Sequence, residues 1–159
     1  MVIEFDVKMT TQAMYDYMLY HTFRSFSGIL GEVVGVLLLA GFFVSKSPLY
    51  LIAGLIVMLY QPVALYFNAK KQVTLNPVFK NDLHFRLDET GVTVTVLEES
   101  ESQEWKDMYK AVSTSKSIIL YTNKASASIF PRTVLKEKEI DVIKMISTHM
   151  DPKKVNIKV

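Results

Sequence analysis

Two apolar runs separated by four residues constrain this chain more than any other feature. The first is Ile29 to Val44, ILGEVVGVLLLAGFFV, and the second is Leu49 to Phe67, LYLIAGLIVMLYQPVALYF. Only Ser45-Lys46-Ser47-Pro48 lies between them. A helix rises about 1.5 Å per residue, so about 20 apolar residues cross a hydrocarbon core about 30 Å thick. The second run has that length and no charge. The first is shorter and contains Glu32, but Phe26, Ser27 and Gly28 extend it backwards to spanning length. So short a break makes the two helices antiparallel neighbours. The pattern predicts a two-span transmembrane helical hairpin over residues 28–67. A buried hairpin in a soluble core is disfavoured, because apolar runs in core helices usually stop at about 10–14 residues. A cleaved signal peptide fits poorly as well. Its apolar region begins near the start of the chain, whereas here residues 1–28, mostly polar or amphipathic, come first.

Flanking cations set the expected orientation. Lys8 and Arg24 precede the hairpin, Lys70, Lys71 and Lys80 follow it, and Lys46 stands alone in the connecting loop. Both termini are therefore expected in the cytoplasm. Tyr50 and Tyr66 fall near the two ends of the second helix, where interfacial aromatics belong.

Three details inside the hairpin bear on role. Glu32 is an intramembrane polar residue, and an ionisable group at that depth marks a functional site by default. Its shallow position favours the plainer reading, in which it reaches interfacial water or Arg24. Gly31 and Gly35 form a GxxxG pair that permits close helix approach. Packing against Ala53 and Gly54 of the second helix is preferred to dimerisation. Gln61-Pro62 interrupts the hydrogen-bond ladder of the second helix and predicts a kink.

Charge divides the chain. Residues 1–67 hold three of the 18 Lys+Arg and four of the 16 Asp+Glu. Residues 68–159 hold the remaining 15 and 12, a net charge of +3, as in an ordinary solvated domain. An overall charge of +2 gives no footprint for nucleic acid. There is no cysteine, which excludes disulfides, thiolate metal sites and cysteine nucleophiles.

Outside the hairpin, Val2 to Lys8 alternates as a half-buried strand with Ile3, Phe5 and Val7 on one face. Thr10 or Thr11 then caps a helix whose apolar stripe is Met14, Met18, Leu19, Phe23 and Phe26. That helix lies along the membrane surface or runs continuously into the first span, and the sequence leaves both open. Asn68 to Asn81 reads as a polar connector. Leu83 to Asp88 and Val92 to Val96 alternate around Glu89-Thr90-Gly91 as a hairpin, with Gly91 expected to supply a positive φ. Glu98 to Glu104 reads as an acidic turn, and Trp105 to Val112 as a strand with scope for a helical turn near Asp107. Ser117 to Tyr121 and Ser126 to Pro131 are short strands. Thr133 opens an amphipathic helix to about Met150, followed by Val155 to Val159 with strand character. The expected fold class is an α+β membrane protein: residues 1–27 as strand and helix, 28–67 as the hairpin, and 68–159 as a small antiparallel β domain capped by a C-terminal helix. A meander closed by a terminal helix is the layout of pleckstrin-homology-like (PH-like) domains.

The order of parts resembles the YcxB-like family of bacterial membrane proteins. So do the segments AKKQVTLNP, LHFRLDETGVTV, EWKDMYKAV, SIILYTN and IFPRTVL. The resemblance implies a two-pass protein of the bacterial inner membrane with a cytosolic PH-like domain.

No catalytic signature accompanies it. His21, His84 and His149 fall on three different elements without metal-ligand spacing. Glu98, Glu99, Glu101 and Glu104 read as a solvated acidic turn, and Trp105 reads as core. Neither a metal nor a cofactor is expected. The basic residues beside the bilayer are the stronger site residues: Arg24, Lys70, Lys71 and Lys80 are placed to meet lipid headgroups or simply to set topology. The leading functional expectation is a non-enzymatic membrane protein whose PH-like domain is an interaction or adaptor module. Its expected partners are membrane lipid, a protein or a second copy, and no nucleic acid. The alternatives are a bacteriocin-immunity or envelope-stress protection factor, and an oligomeric small transporter or channel subunit suggested by Glu32, Pro62 and GxxxG.

Overall fold

The four-residue break closes one helix and opens the next. The computed structural model describes residues 1–158. Helix α2 (Phe26–Ser45) ends where Lys46 takes a left-handed φ of 58° and donates its backbone N–H to the Phe42 carbonyl at 2.8 Å. Helix α3 (Pro48–Leu75) starts on Pro48, whose fixed φ suits a first helical position. Both helices are long and apolar enough to cross a membrane, and only 11% and 6% of their apolar stretches are buried. These are not core helices of this fold.

Helix α3 corrects the expected polar connector. It continues past Phe67 to Leu75 and carries Lys70 and Lys71 on its last turns. Alanine, lysine and glutamine are good helix formers, and no Gly or Pro stops the helix before Asn76-Pro77. A 3₁₀ turn, Pro77–Lys80, follows.

Helix α1 (Thr11–Phe23) precedes α2 and is separate from it. Thr10 caps it, accepting from the Ala13 N–H at 3.2 Å, and Arg24 ends it. Ser25 then caps α2 through the Gly28 N–H. Gly28 sits so close to the Thr22 carbonyl that a Cβ would collide with it, which sets the sharp junction. The buried face of α1 differs from the expected stripe. Ala13 and Met14 are buried, and Tyr15, Tyr17 and Met18 pack on the core, while Phe26 belongs to α2 and is 83% exposed.

The remaining elements form two four-stranded sheets. One has the order β1 (Ile3–Val7), β2 (Leu83–Leu87), β3 (Gly91–Val96), β4 (Glu99–Glu104), all antiparallel. The other has the order β7 (Ala127–Pro131), β6 (Ser117–Tyr121), β5 (Lys110–Ser113), β8 (Val155–Asn156), with β8 parallel to β5. The N-terminal strand therefore pairs within its own chain, Phe5 opposite Phe85. Ile3, Phe5 and Val7 are buried as the alternation predicts. Phe5, Phe85 and Phe130 meet at centroid distances of 4.9–5.7 Å, joining the two sheets in one core. Strand β6 is buried along its whole length, because its second face is covered by Tyr17 and Tyr20 of α1. Trp105 is core, as expected, and donates its indole N–H to the Asp88 carbonyl at 2.8 Å.

Four further expectations need correction. Gly91 has no positive φ. Asp88 makes the turn instead, accepting from the Thr90 N–H, the Thr90 hydroxyl and the Gly91 N–H. Glycine is required there because a Cβ would strike the Gln103 carbonyl. The acidic segment is strand β4 rather than a turn, with Thr93 and Thr95 hydroxyls paired to Ser102 and Ser100 at 2.8 Å. Trp105–Asp107 is a 3₁₀ turn, the helical turn the sequence allowed near Asp107, but the expected strand is confined to Lys110–Ser113. The C-terminal helix is broken into α4 (Arg132–Leu135) and α5 (Glu139–His149) where Lys136 adopts a φ of 46°. Leu135 and Val142 lie on either side of that break and both are buried. Of the Val155–Val159 tail, Val155–Asn156 pairs with β5, and Val159 lies outside the described residues.

Candidate functional site

The hairpin is assembled by small residues meeting large ones. Antiparallel register sets Gly31 against Gln61, Gly35 against Met58, Gly54 against Leu39 and Gly41 against Tyr50. The glycines do face the second helix, but Gly31 and Gly35 meet Gln61 and Met58 rather than Ala53 and Gly54, which lie further toward the loop. A Cβ at Gly54 would come within 2.7 Å of Leu39 Cδ2, so the close approach depends on glycine. Gln61, expected from the sequence to be a second polar residue within the span beside Glu32, has its Oε1 buried without a hydrogen-bond partner among the described residues. Glu32 is half-buried beside Phe23, Ile29, Val33, Val36 and Leu37, around an apolar hollow of about 320 Å³.

The cations do not gather into one cluster. Arg24 sits over the Tyr20 ring at 5.3 Å from its centroid. Lys80 ends the 3₁₀ turn. Lys70 and Lys71 are exposed neighbours on α3 and make no ion pair among the described residues. Adjacent helical residues point about 100° apart, and the two lysines differ accordingly. Lys71 lines a cleft of about 610 Å³ between α1 and α3, and Lys70 does not.

One wall of that cleft is α3, where Leu65, Asn68, Gln72 and Leu75 recur at helical spacing, with Asn76 following at the end of the helix. The other wall is α1, with Met18 and His21. The turn between β6 and β7 closes the top, where the Tyr17 hydroxyl donates to the Ala125 carbonyl at 3.0 Å. His21 Nδ1 lies 3.3 Å from the Tyr121 hydroxyl, and the two rings stack. Burial pushes the Tyr121 phenol well above its ordinary range, with Tyr17 and Tyr20 adding to the effect, and burial raises Tyr17 as well. Burial thus keeps both phenols neutral. Asp16 fixes the same helix at another point, accepting from the Thr114 hydroxyl at 2.6 Å.

Sequence reasoning singled out Lys71 but missed Tyr17, His21, Asn68 and Gln72. Tyr121 is 100 residues from His21 and Ala125 is 108 from Tyr17, so no local spacing announces the junction. The run Leu65, Asn68, Gln72 at helical period was the only available signal, and it carried weight only once α3 was known to pass Phe67.

A second groove of about 720 Å³ opens between the sheets. Register places Glu99, Glu101 and Gln103 beside Val96, Val94 and Val92, on the inner face of the free edge strand β4. Inward charges of this kind discourage another strand from adding to the edge. The three histidines remain apart: His84 contacts Asp6 at 2.7 Å and His149 stacks on Trp105. Among the described residues no group of three or more His, Asp or Glu is placed to hold a metal ion.

Residues 87–146 match the family model described as YcxB-like protein. The matched segment begins at the last residue of β2 and ends within α5, so it supports the YcxB-like assignment through the β3–β7 strands and the broken helix. No curated protein and no solved structure matches the chain.

Proposed function

We propose that this chain, YcxB-like over residues 87–146, is a two-pass protein of the bacterial inner membrane with both termini cytoplasmic. Its PH-like domain serves as a non-enzymatic interaction module for membrane lipid or a protein partner. One observation carries the reading. The two most apolar helices are almost wholly outside the protein's core, and they join, α2 through the separate helix α1 and α3 by its own last turns, a domain with a closed core of its own. Exposed apolar surface on that scale is stable only against an apolar surround. Two four-stranded sheets, antiparallel but for the short β8, with the broken helix after β7, support the PH-like description, and the positive flanks support the sidedness.

The absence of cysteine supplies the experiment. Ser47→Cys in the connecting loop and Ser100→Cys in β4 each create a single thiol. In intact cells a membrane-impermeant maleimide labels the first and not the second, and alkaline carbonate leaves the full-length chain in the membrane pellet. Release of the chain by carbonate, or equal labelling at both positions, overturns the reading.

A further inference from the structure

We propose that the cleft between α1 and α3 is a binding site for one anionic phospholipid, with the phosphodiester held by Lys71, Asn68, Gln72 and His21 and the acyl chains descending past Leu65 and Met18. This rests on the membrane reading above and adds a defined lipid site to it.

Depth is the first argument. Counting from Pro48, about 20 residues of helix bring α3 to Phe67, where the hydrocarbon ends. Leu65 then lies just inside the apolar layer and Asn68 at its boundary. Lys71 and Gln72 lie about 5 Å farther out, at the level of lipid phosphates. At that same level the α3 side of the cleft is polar, with Asn68, Lys71 and Gln72 between Leu65 on the hydrocarbon side and Leu75 on the domain side.

Chemistry is the second. The side chains of Lys71, Asn68 and Gln72 make no hydrogen bond or ion pair among the described residues, so their N–H groups are available. His21 has Nδ1 engaged with Tyr121. His21 lines the cleft, and its Nε2 makes no hydrogen bond among the described residues. Lys71 supplies a full positive charge beside the neutral amides of Asn68 and Gln72, which suits a phosphodiester with one negative charge better than a doubly charged phosphate. No carboxylate lines the cleft. Its volume of about 610 Å³ falls in the usual range of small-ligand sites, roughly 300–1,000 Å³.

Shape is the third. The Tyr17–Ala125 hydrogen bond roofs the cleft on the domain side. Leu65 lies at the other end of the lining, inside the hydrocarbon by the depth count, so the acyl chains of an occupant leave the cleft there.

The test uses the full-length protein in vesicles of equimolar phosphatidylglycerol and phosphatidylcholine. Lipid retained after detergent extraction is counted by native mass spectrometry. The wild type retains one phosphatidylglycerol in preference to phosphatidylcholine. Lys71→Gln lowers that retention about fivefold, the weight of one cation near an anionic headgroup. Lys70→Gln, which removes the same charge at nearly the same depth outside the cleft, leaves it unchanged. Asn68→Trp fills the cleft without altering charge and also lowers retention. Excess inorganic phosphate does not displace the lipid. Equal losses for Lys70→Gln and Lys71→Gln, full retention in Asn68→Trp, or displacement by inorganic phosphate each overturns the site. These failures are distinct from failure of the membrane reading, in which carbonate releases the chain whatever it retains.

Discussion

Phe43 in the hairpin is 69% exposed and Phe130 in β7 is 0% exposed. The same residue type does opposite work in the two regions. In the β domain, apolar side chains interdigitate: Phe5, Phe85 and Phe130 touch one another, and Met108, Leu135 and Ile146 are fully enclosed. In the hairpin many large side chains are exposed, and the helices meet where glycines receive Gln61, Met58, Leu39 and Tyr50 of the partner helix. The domain is held by burial and the hairpin by close approach. What counts as the favourable direction for a phenylalanine thus depends on the surround each region faces.

The contrast can be broken by matched substitutions in full-length protein, followed by thermal unfolding in detergent. Phe130→Ala removes the centre of the aromatic trio and is expected to destabilise the β domain by about 3–5 kcal/mol. Phe43→Ala, the same change on an outward face, is expected to leave unfolding within about 0.5 kcal/mol of wild type. Equal costs would mean that the hairpin is packed like a core.

Gly54→Leu is the converse test. It forces a side chain into the space of Leu39 and should cost about 1–3 kcal/mol of hairpin stability. The near-UV spectrum of the β domain should not change. A domain that loses its signal together with the hairpin would show that the two regions unfold as one unit.

Glu139→Gln examines the seam of the domain. Arg132 donates to Glu139, to the Thr114 carbonyl at 3.3 Å and to the Lys158 carbonyl at 2.6 Å, tying the start of α4 to α5 and to the chain end. Both side chains of the Arg132–Glu139 pair are only 21% exposed. Removing the acceptor charge is expected to cost about 2 kcal/mol, measured by denaturant unfolding.

The smallest effect belongs to the β2–β3 turn. Hydrogen bonds from the Thr90 hydroxyl and backbone, with the Gly91 N–H and the charge of Arg86, hold the Asp88 carboxyl below the usual carboxylate range. A depressed folded pKa adds stability above the unfolded carboxylate pKa, and that stability is lost as pH falls through the folded value. Asp88→Asn should therefore cost about 1 kcal/mol at neutral pH. The cost should shrink as acid protonates the wild-type carboxyl. A cost that does not vary with pH would show that the turn needs the shape of the side chain and not its charge.

How much of this was legible in the residues varies with the range of the interactions concerned. The hairpin was legible because run length and a short break are properties of contiguous sequence. The β1, β2 and β3 strands were legible because alternation has period two. Strand β4 was not, since its residues are polar on both faces and its pairing comes from β3. The break between α4 and α5 was hidden because continuous helical periodicity runs across Lys136. Of the proposed cleft, the sequence singled out Lys71 for its charge and its place beside the second run. It could not distinguish Lys71 from Lys70, because what separates them is the wall of α1 on one side only.

The sequence by itself determined which segment is apolar on every side, where it turns and which strands alternate, because those features follow from neighbours within a few residues. Only the tertiary structure decided that the N-terminal strand pairs with its own chain, that α3 carries its lysines up to the β domain, and that His21 meets Tyr121. Those outcomes depend on groups brought together across 78 to 108 residues of chain. Packing of the whole domain selects such pairings, and no local pattern records them.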